Sequence, residues 1–425
     1  MRVPSLKRSF QGFDRRVWIL FYGRIMTATG FAMVIPFLSM YLHNDLGISM
    51  SLVGLLLLCT SLIGSLGNII GGELCDRLGR KRIMMIGLLW RTAAFVLIAV
   101  AIGAGSHYLI IAALVALSSF GGSLFDPASN AMIADIVEPS KRLEAYGMLR
   151  IGQNIGWAAG PMIGGLLGIW LAFSATFYIS AVATLIVAVF LYLNITESLD
   201  MHKVHERFKL RDLAGMTKDT IFMSFCLVSI SLFIMFGQMS SSYAVYSTDT
   251  LGVLSSQVAL LWTWNGILVI FLQMPISRWI SKYRMSSMIA AGSLMYAIGY
   301  GMVGLAPLFG SEPALFGLNE RFYYLMINMT IVTMGEMFVS PASMNLVANI
   351  SPENERGRYM GMFGLVSSIG FALGPFMGGI ILDQFISDDV LLWAMIGMFG
   401  IIAAIGYALL GKKLGAERDS SIQKA

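Results

Sequence analysis

Charge is scarce in this chain: Asp, Glu, Lys and Arg make up 12% of its 425 residues, against 57% hydrophobic residues. Too little polar surface remains to face water, which excludes an ordinary soluble globular domain. Cysteine is scarcer still. Cys59, Cys75 and Cys226 are too few for a disulfide framework and read as packing residues. The four histidines form no metal-ligand cluster; His202 and His205 share a polar stretch, where a solvated pair is expected, so no metal is assigned. The patterns G-x-x-x-x-G-K-[ST], H-E-x-x-H and G-x-S-x-G are all missing, which removes ATP-driven pumping and the common hydrolase classes. No enzymatic activity and no bound cofactor are expected.

What the chain has in abundance is long apolar runs. Several exceed the roughly 20 residues that a helix rising about 1.5 Å per residue needs to cross about 30 Å of hydrocarbon. Because lipid leaves no backbone group unbonded, these runs must be helical. Breaks at Gly, Pro, Asn and charge clusters place spans near 17–42, 51–74, 83–104, 107–135, 143–168 and 172–194. A second six follow near 219–247, 254–280, 286–306, 322–349, 357–382 and 389–411. The expected architecture is an all-α membrane protein of twelve transmembrane helices in two pseudo-symmetric six-helix bundles. Residues 1–194 form the first bundle, 195–218 a charged linker with Lys203, Arg207, Lys209, Arg211 and Lys218, 219–411 the second bundle, and 412–425 a tail.

The basic residues give the orientation. Arg2, Lys7, Arg8, Arg15 and Arg16 precede or open the first apolar run, which lacks a small-residue cleavage site and reads as a retained span. With both termini in the cytoplasm, every Lys and Arg lies on that side except Arg321 outside and Arg24, Arg91 and Arg150 within the membrane. The pI of about 9.0 therefore reflects topology, and nucleic acid is not an expected partner. The location expected is the cell's inner or plasma membrane.

The halves repeat each other. Pro127-Ala128-Ser129 recurs as Pro341-Ala342-Ser343, Arg142 as Arg356 and Gly147-Met148 as Gly361-Met362. In the same register, Gly156, Gly160, Pro161, Gly164 and Gly165 fall on Gly370, Gly374, Pro375, Gly378 and Gly379. Two parallel repeats are what an alternating-access carrier needs, with substrate held between them.

Between the second and third spans stands Gly72-Glu73-Leu74-Cys75-Asp76-Arg77-Leu78-Gly79-Arg80-Lys81-Arg82. This resembles the signature loop of the major facilitator superfamily. The resemblance implies a cytoplasmic gate built from Gly72, Asp76, Arg77, Gly79 and Arg80, with Asp76 facing the helix that starts near Gly357 and Asp135 neutralising Arg80. Simple topological anchoring by the same basic residues is the alternative. The second half has Ser281 where the aspartate would stand, so any latch is asymmetric. The series Gly147, Gly156, Gly160-Pro161, Gly164-Gly165 resembles the hinge motif of that superfamily's drug/proton antiporters. The resemblance implies antiport, although its recurrence from Gly361 to Gly379 reads as a duplicated packing element.

A charge inside the membrane costs about 2.5–3.5 kcal/mol or more, so each is a functional candidate. By linear count, Arg24, Arg91, Arg150 and Asp126 sit at a similar depth, about 10 Å from one face, and Glu336 lies deeper. Asp126 is the expected proton carrier, Arg150 its electrostatic partner, and Glu336 a second carrier or a substrate group facing a cation; a static buried ion pair is the competing reading. An arginine that the family often places in the fourth span is missing here, leaving Arg91 or Arg150 to substitute. Gln153, Asn154, Gln238, Tyr243, Trp262 and Asn265 are the expected cavity residues, with thirty methionines supplying pliant surface. The function expected is monomeric, proton-driven efflux of amphipathic compounds. Alternatives are carriage of an anionic metabolite or lipid, favoured by the excess of arginine, or nutrient symport.

Overall fold

A computed structural model describes residues 13–138, 142–199, 218–312, 318–352, 356–415 and 418–420, without the side chains of 142–144 and 356–358. Several residues used above for topology lie outside that set: Arg2, Lys7, Arg8, His202, Lys203, His205, Arg207, Lys209 and Arg211. The side chains of Arg142, Arg356 and Gly357 do too.

The described residues are nearly all helical. In chain order the helices are α1 (Arg15–Ala32), α2 (Ile35–Met40), α3 (Met50–Leu78), α4 (Arg80–Gly103), α5 (Tyr108–Gly122), α6 (Phe125–Ile136), α7 (Arg142–Trp170) and α8 (Phe173–Asn194). They continue with α9 (Thr220–Gln238), α10 (Ser242–Asp249), α11 (Ser255–Ile280), α12 (Met285–Val303), α13 (Glu320–Ile350), α14 (Arg356–Phe385) and α15 (Asp389–Lys413). Eleven spans among the described residues are long and apolar enough to cross a membrane. The expected fifth span is α7, which is 29 residues long but carries Arg150, Gln153 and Asn154 and is not among the eleven.

Three expected spans are interrupted. The first breaks at Met33–Val34 and ends in a wide turn at Tyr41–Asp45; the fourth breaks between Gly122 and Phe125; the seventh breaks between Gln238 and Ser242. The tenth, α13, runs unbroken through Pro341, although its counterpart Pro127 sits in the first turn of α6, where a missing N–H costs nothing.

Two compact units emerge. One holds the described residues up to Pro36 and from Cys59 through Leu199; the other holds Phe37–Leu58 and the described residues from Lys218 onward. The boundary expected at 195–218 is thus supplemented by a transfer: the segment Phe37–Leu58 belongs with the second unit. Its ties there are specific. Ser39 donates to the Ser240 carbonyl at 3.0 Å, Asn44 to Asp249 at 2.6 Å, and the Asp383 carboxylate accepts from the N–H groups of Met50 and Ser51, capping α3.

Within each unit the packing scheme is the same. In the first, α1 lies against α7 and α8, and α4 against α5, α6 and α8; in the second, α9 lies against α14 and α15, and α12 against α13 and α15. Helices α7 and α14 begin 214 residues apart, the spacing of the sequence repeat. Small residues set these contacts. A Cβ on Gly160 would stand 2.6 Å from the Ala32 Cβ, and one on Gly374 would stand 2.7 Å from the Gly237 Cα, so both helix pairs meet backbone to backbone.

Candidate functional site

The charged groups of the first unit gather where α1, α4, α6 and α7 meet. Arg24 of α1 forms an ion pair with Asp126 and donates to the Gln153 side-chain oxygen of α7 at 2.8 Å. Asp126 falls in the first turn of α6, created by the break after Gly122, so the positive end of that helix also favours its carboxylate. Arg150, the partner expected from depth alone, is exposed and makes no ion pair among the described residues. Asp126 belongs to Arg24 instead.

Arg91 of α4 completes the group. Its guanidinium lies 5.1 Å from the centroid of the Phe31 ring, and its Nε, like that of Arg24, is buried without a hydrogen-bond partner among the described residues. Room for it comes from Gly122 of α5, where any Cβ would run into the guanidinium. Among the described residues, one of the two arginines is ion-paired to Asp126 and the other lies over an aromatic ring.

In the second unit, Asn265 of α11 donates to the Glu336 carboxylate at 3.0 Å and to the Thr333 hydroxyl at 2.9 Å. The repeat explains the exchange of charge: Glu336 stands where Gly122 stands in the first half. Helices α4 and α12 begin at Arg80 and Met285, and carrying that correspondence along them lays Arg91 on Tyr296. Equivalent positions thus hold an arginine beside a glycine in one unit and a tyrosine beside a glutamate in the other.

The other expected cavity residues divide. Gln153 is half-buried on Arg24 and Asn154 is exposed. Gln238 and Tyr243 are fully buried: Gln238 donates to the Gly374 carbonyl at 2.8 Å, and Tyr243 packs edge-on against Tyr300 and Trp393. Trp262 is buried too, edge-on to Phe37 with ring centroids 5.3 Å apart. Gln238 and Tyr243 flank the break between α9 and α10, whereas Trp262 stands on α11.

The signature loop closes on itself. Arg80 is 2% exposed, with Nε 2.9 Å from Asp135, a terminal nitrogen 3.1 Å from Asp76, and the other donating to the Cys75 carbonyl at 2.8 Å. Gly79 adopts φ +102°, which a residue with a Cβ rarely takes, and its open side holds Glu197. Glu197 caps α4 by accepting from the N–H groups of Arg80 and Lys81, and Ser198 donates to Asp135 at 2.8 Å. The linker's first residues are thus part of the loop, which the sequence reading missed. The second half held the signal: Asp419-Ser420 follows the last helix as Glu197-Ser198 follows the sixth span. Asp419 accepts from Arg284 at 2.7 Å and from the Ser286 N–H at 2.7 Å, and Asn349, the repeat of Asp135, donates to the Ser420 carbonyl.

Two outcomes follow. Replacing Arg80 by Met leaves two carboxylates uncompensated; because both are partly solvated, the loss is roughly 2 kcal/mol, below the 3–5 of a fully buried pair. Arg77→Met, which breaks only the exposed pair with Glu73, should leave the thermal unfolding temperature unchanged. Partial burial raises the Glu197 carboxyl, but four backbone N–H groups, of Leu199, Arg80, Ser198 and Lys81, outweigh it and hold it below the usual range. Its stabilisation is therefore complete above the unfolded value of about 4.3 and disappears as pH falls through the lower folded value. An acid titration of unfolding temperature should lose that step in Glu197→Gln.

A multi-pass helical membrane protein of two like-packed units, with charges in its spans, is a transporter class. The model of the Major Facilitator Superfamily matches residues 20–318 and 227–424, and the chain belongs to that family. The chain is 28% identical over 383 residues to the uncharacterized MFS-type transporter YttB of Bacillus subtilis, covering 87% of this chain and 89% of that one. It is 27% identical over 400 residues to the multidrug resistance protein MdtH of Salmonella arizonae, covering 92% of each. A Na(+), Li(+), K(+)/H(+) antiporter of Planococcus maritimus is 25% identical over 395 residues, covering 85% of this chain and 88% of that one. The fold matches a solved POT family transporter in complex with 5-aminolevulinic acid at TM-score 0.78 and 12% identity, over 95% and 97% of the two chains.

Proposed function

We propose that this transporter is a proton-driven, alternating-access exporter of amphipathic compounds in the inner membrane of a bacterium, with both termini cytoplasmic. The observation that carries the reading is the Arg24–Asp126 ion pair, inside a span, with a second arginine on α4 that has no carboxylate partner among the described residues. A carboxylate released from such a pair takes up a proton, and one returned to it gives the proton back, which couples the pair's making and breaking to proton movement. Relatives named for multidrug resistance and for cation/proton antiport support the direction. The protein works as a monomer, needs no cofactor beyond the proton gradient, and engages no nucleic acid. Orientation follows the basic loops.

A second reading, carriage of an anionic metabolite or lipid, draws on one observation: the Nε groups of Arg24 and Arg91, unpartnered among the described residues, are donors suited to an anion. One experiment separates the two. Proteoliposomes holding a proton gradient are given cationic, neutral and anionic amphiphiles while internal pH is recorded. Proton release driven by cationic or neutral compounds supports export by antiport; release driven by anions alone selects the second reading; substrate movement without proton flux removes both the antiport assignment and the role of Asp126.

A further inference from the structure

Outside the charged cluster, the first unit carries a cavity of about 970 Å³ between the first turns of α4 and the last turns of α8, floored by the end of α3 and by Glu197–Leu199. It changes character along its length. One end is basic, with Arg77, Lys81 and Arg82; within about 12 Å, the rise of the eight residues from Lys81 to Leu89, it becomes wholly apolar. The apolar side chains are open to the outside of the helix bundle: Leu89 is 52% exposed and Val189 51%.

The balance of charge at the basic end is positive. Arg77 is taken up by Glu73. Glu197, the one carboxylate lining the cavity, is occupied by the N–H groups that open α4. Lys81 donates to the Tyr192 carbonyl at 2.8 Å and lies 4.8 Å from the Tyr192 ring, but forms no ion pair; Arg82 is exposed with none either, among the described residues. Two cations without carboxylates therefore stand at the mouth of an apolar groove on a membrane-spanning surface.

We propose that this groove binds an anionic phospholipid, its phosphate between Lys81 and Arg82 and an acyl chain along Ile86, Leu89 and Val189. Charge complementarity and the change from basic to apolar over the depth of a headgroup select that occupant: a soluble anion would leave the apolar wall unused, and an uncharged lipid would leave the cations unmatched. The inference is independent of the transported substrate.

The test uses the full chain, stripped of lipid in detergent and titrated with phosphatidylglycerol or phosphatidylcholine while bound lipid is counted by native mass spectrometry. Tight, saturable binding of phosphatidylglycerol over phosphatidylcholine is expected. The Lys81→Gln, Arg82→Gln double variant should weaken it about thirtyfold. Val189→Trp, which fills the groove without changing charge, should weaken it as well and guards against a folding defect in the first variant. Lys412→Gln, Lys413→Gln, which removes the same charge from the exposed end of α15, should leave it unaltered. Equal binding of the two lipids, or an equal loss in the α15 control, overturns the site.

Discussion

Asp126→Asn is expected to reduce substrate-driven proton flux in proteoliposomes to background, a fall of at least about tenfold, while leaving exchange of substrate across the membrane at equal concentrations. The side chain keeps its shape and can still accept a hydrogen bond from Arg24, so position is retained and only the proton site is lost. Exchange needs the carrier to bind and reorient with substrate, not to load and unload a proton, and therefore separates a coupling defect from a binding or folding defect. Arg24→Gln should behave differently. It removes the counter-charge while leaving the carboxylate, so proton binding persists without the switch that controls it, and the result is proton leakage without substrate. If Asp126→Asn retains coupled flux, the carrier role passes to Glu336, the remaining span carboxylate identified above, and Glu336→Gln becomes the decisive variant.

The difference between Arg24 and Arg150 as partner shows what a sequence conveys about such a site. Depth in a membrane is linear in residue number, so the common level of Arg24, Arg91, Asp126 and Arg150 could be read directly. Azimuth is not linear: it depends on which face each helix turns to its neighbours, and α7 turns Gln153 to Arg24 while leaving Arg150 exposed. Nor does a linear count reveal that the span holding Gln238 and Tyr243 breaks between them. Helix existence, by contrast, was legible almost to the residue: α7 runs from Arg142 where 143 was expected, and α12 from Met285 where 286 was expected. Long apolar runs leave the backbone no alternative. The capping role of Glu197 was hidden because a carboxylate in a polar linker looks solvated until the helix end it caps is placed beside it.

Gly156→Leu is expected to abolish recovery of folded protein, seen as loss of the monodisperse peak in size-exclusion chromatography, whereas Gly147→Ala should raise the unfolding temperature slightly. A Cβ on Gly156 would stand 2.5 Å from the Ala28 Cβ, 2.7 Å from the Ile25 carbonyl oxygen and 2.8 Å from the Thr29 nitrogen. Two of those three atoms are backbone of α1, and the third is a Cβ that cannot rotate away, so even Gly156→Ala must push the helices apart, costing about 2–4 kcal/mol. A Cβ on Gly147 would meet no atom of another element within 4 Å among the described residues, and alanine there gains up to about 1 kcal/mol of helix propensity. The motif on α7 is thus two things in sequence: an open glycine at its start and a packing stripe beyond it. The stripe recurs on α14, where a Cβ on Gly370 would stand 2.6 Å from the Phe233 Cβ and one on Gly374 2.8 Å from the Ile234 carbonyl oxygen. Because both units use it to seat the same helix pair, close packing alone carries no information about the direction of transport. Gly361 on α14 is as open as Gly147, and Pro375 repeats Pro161, so a hinge that acts in one half alone has to be found by comparing the two open glycines. A Gly147→Ala protein that is stable yet transports several-fold more slowly, beside a Gly361→Ala protein that transports normally, locates a hinge at the first half's open glycine; equal rates in the two remove it.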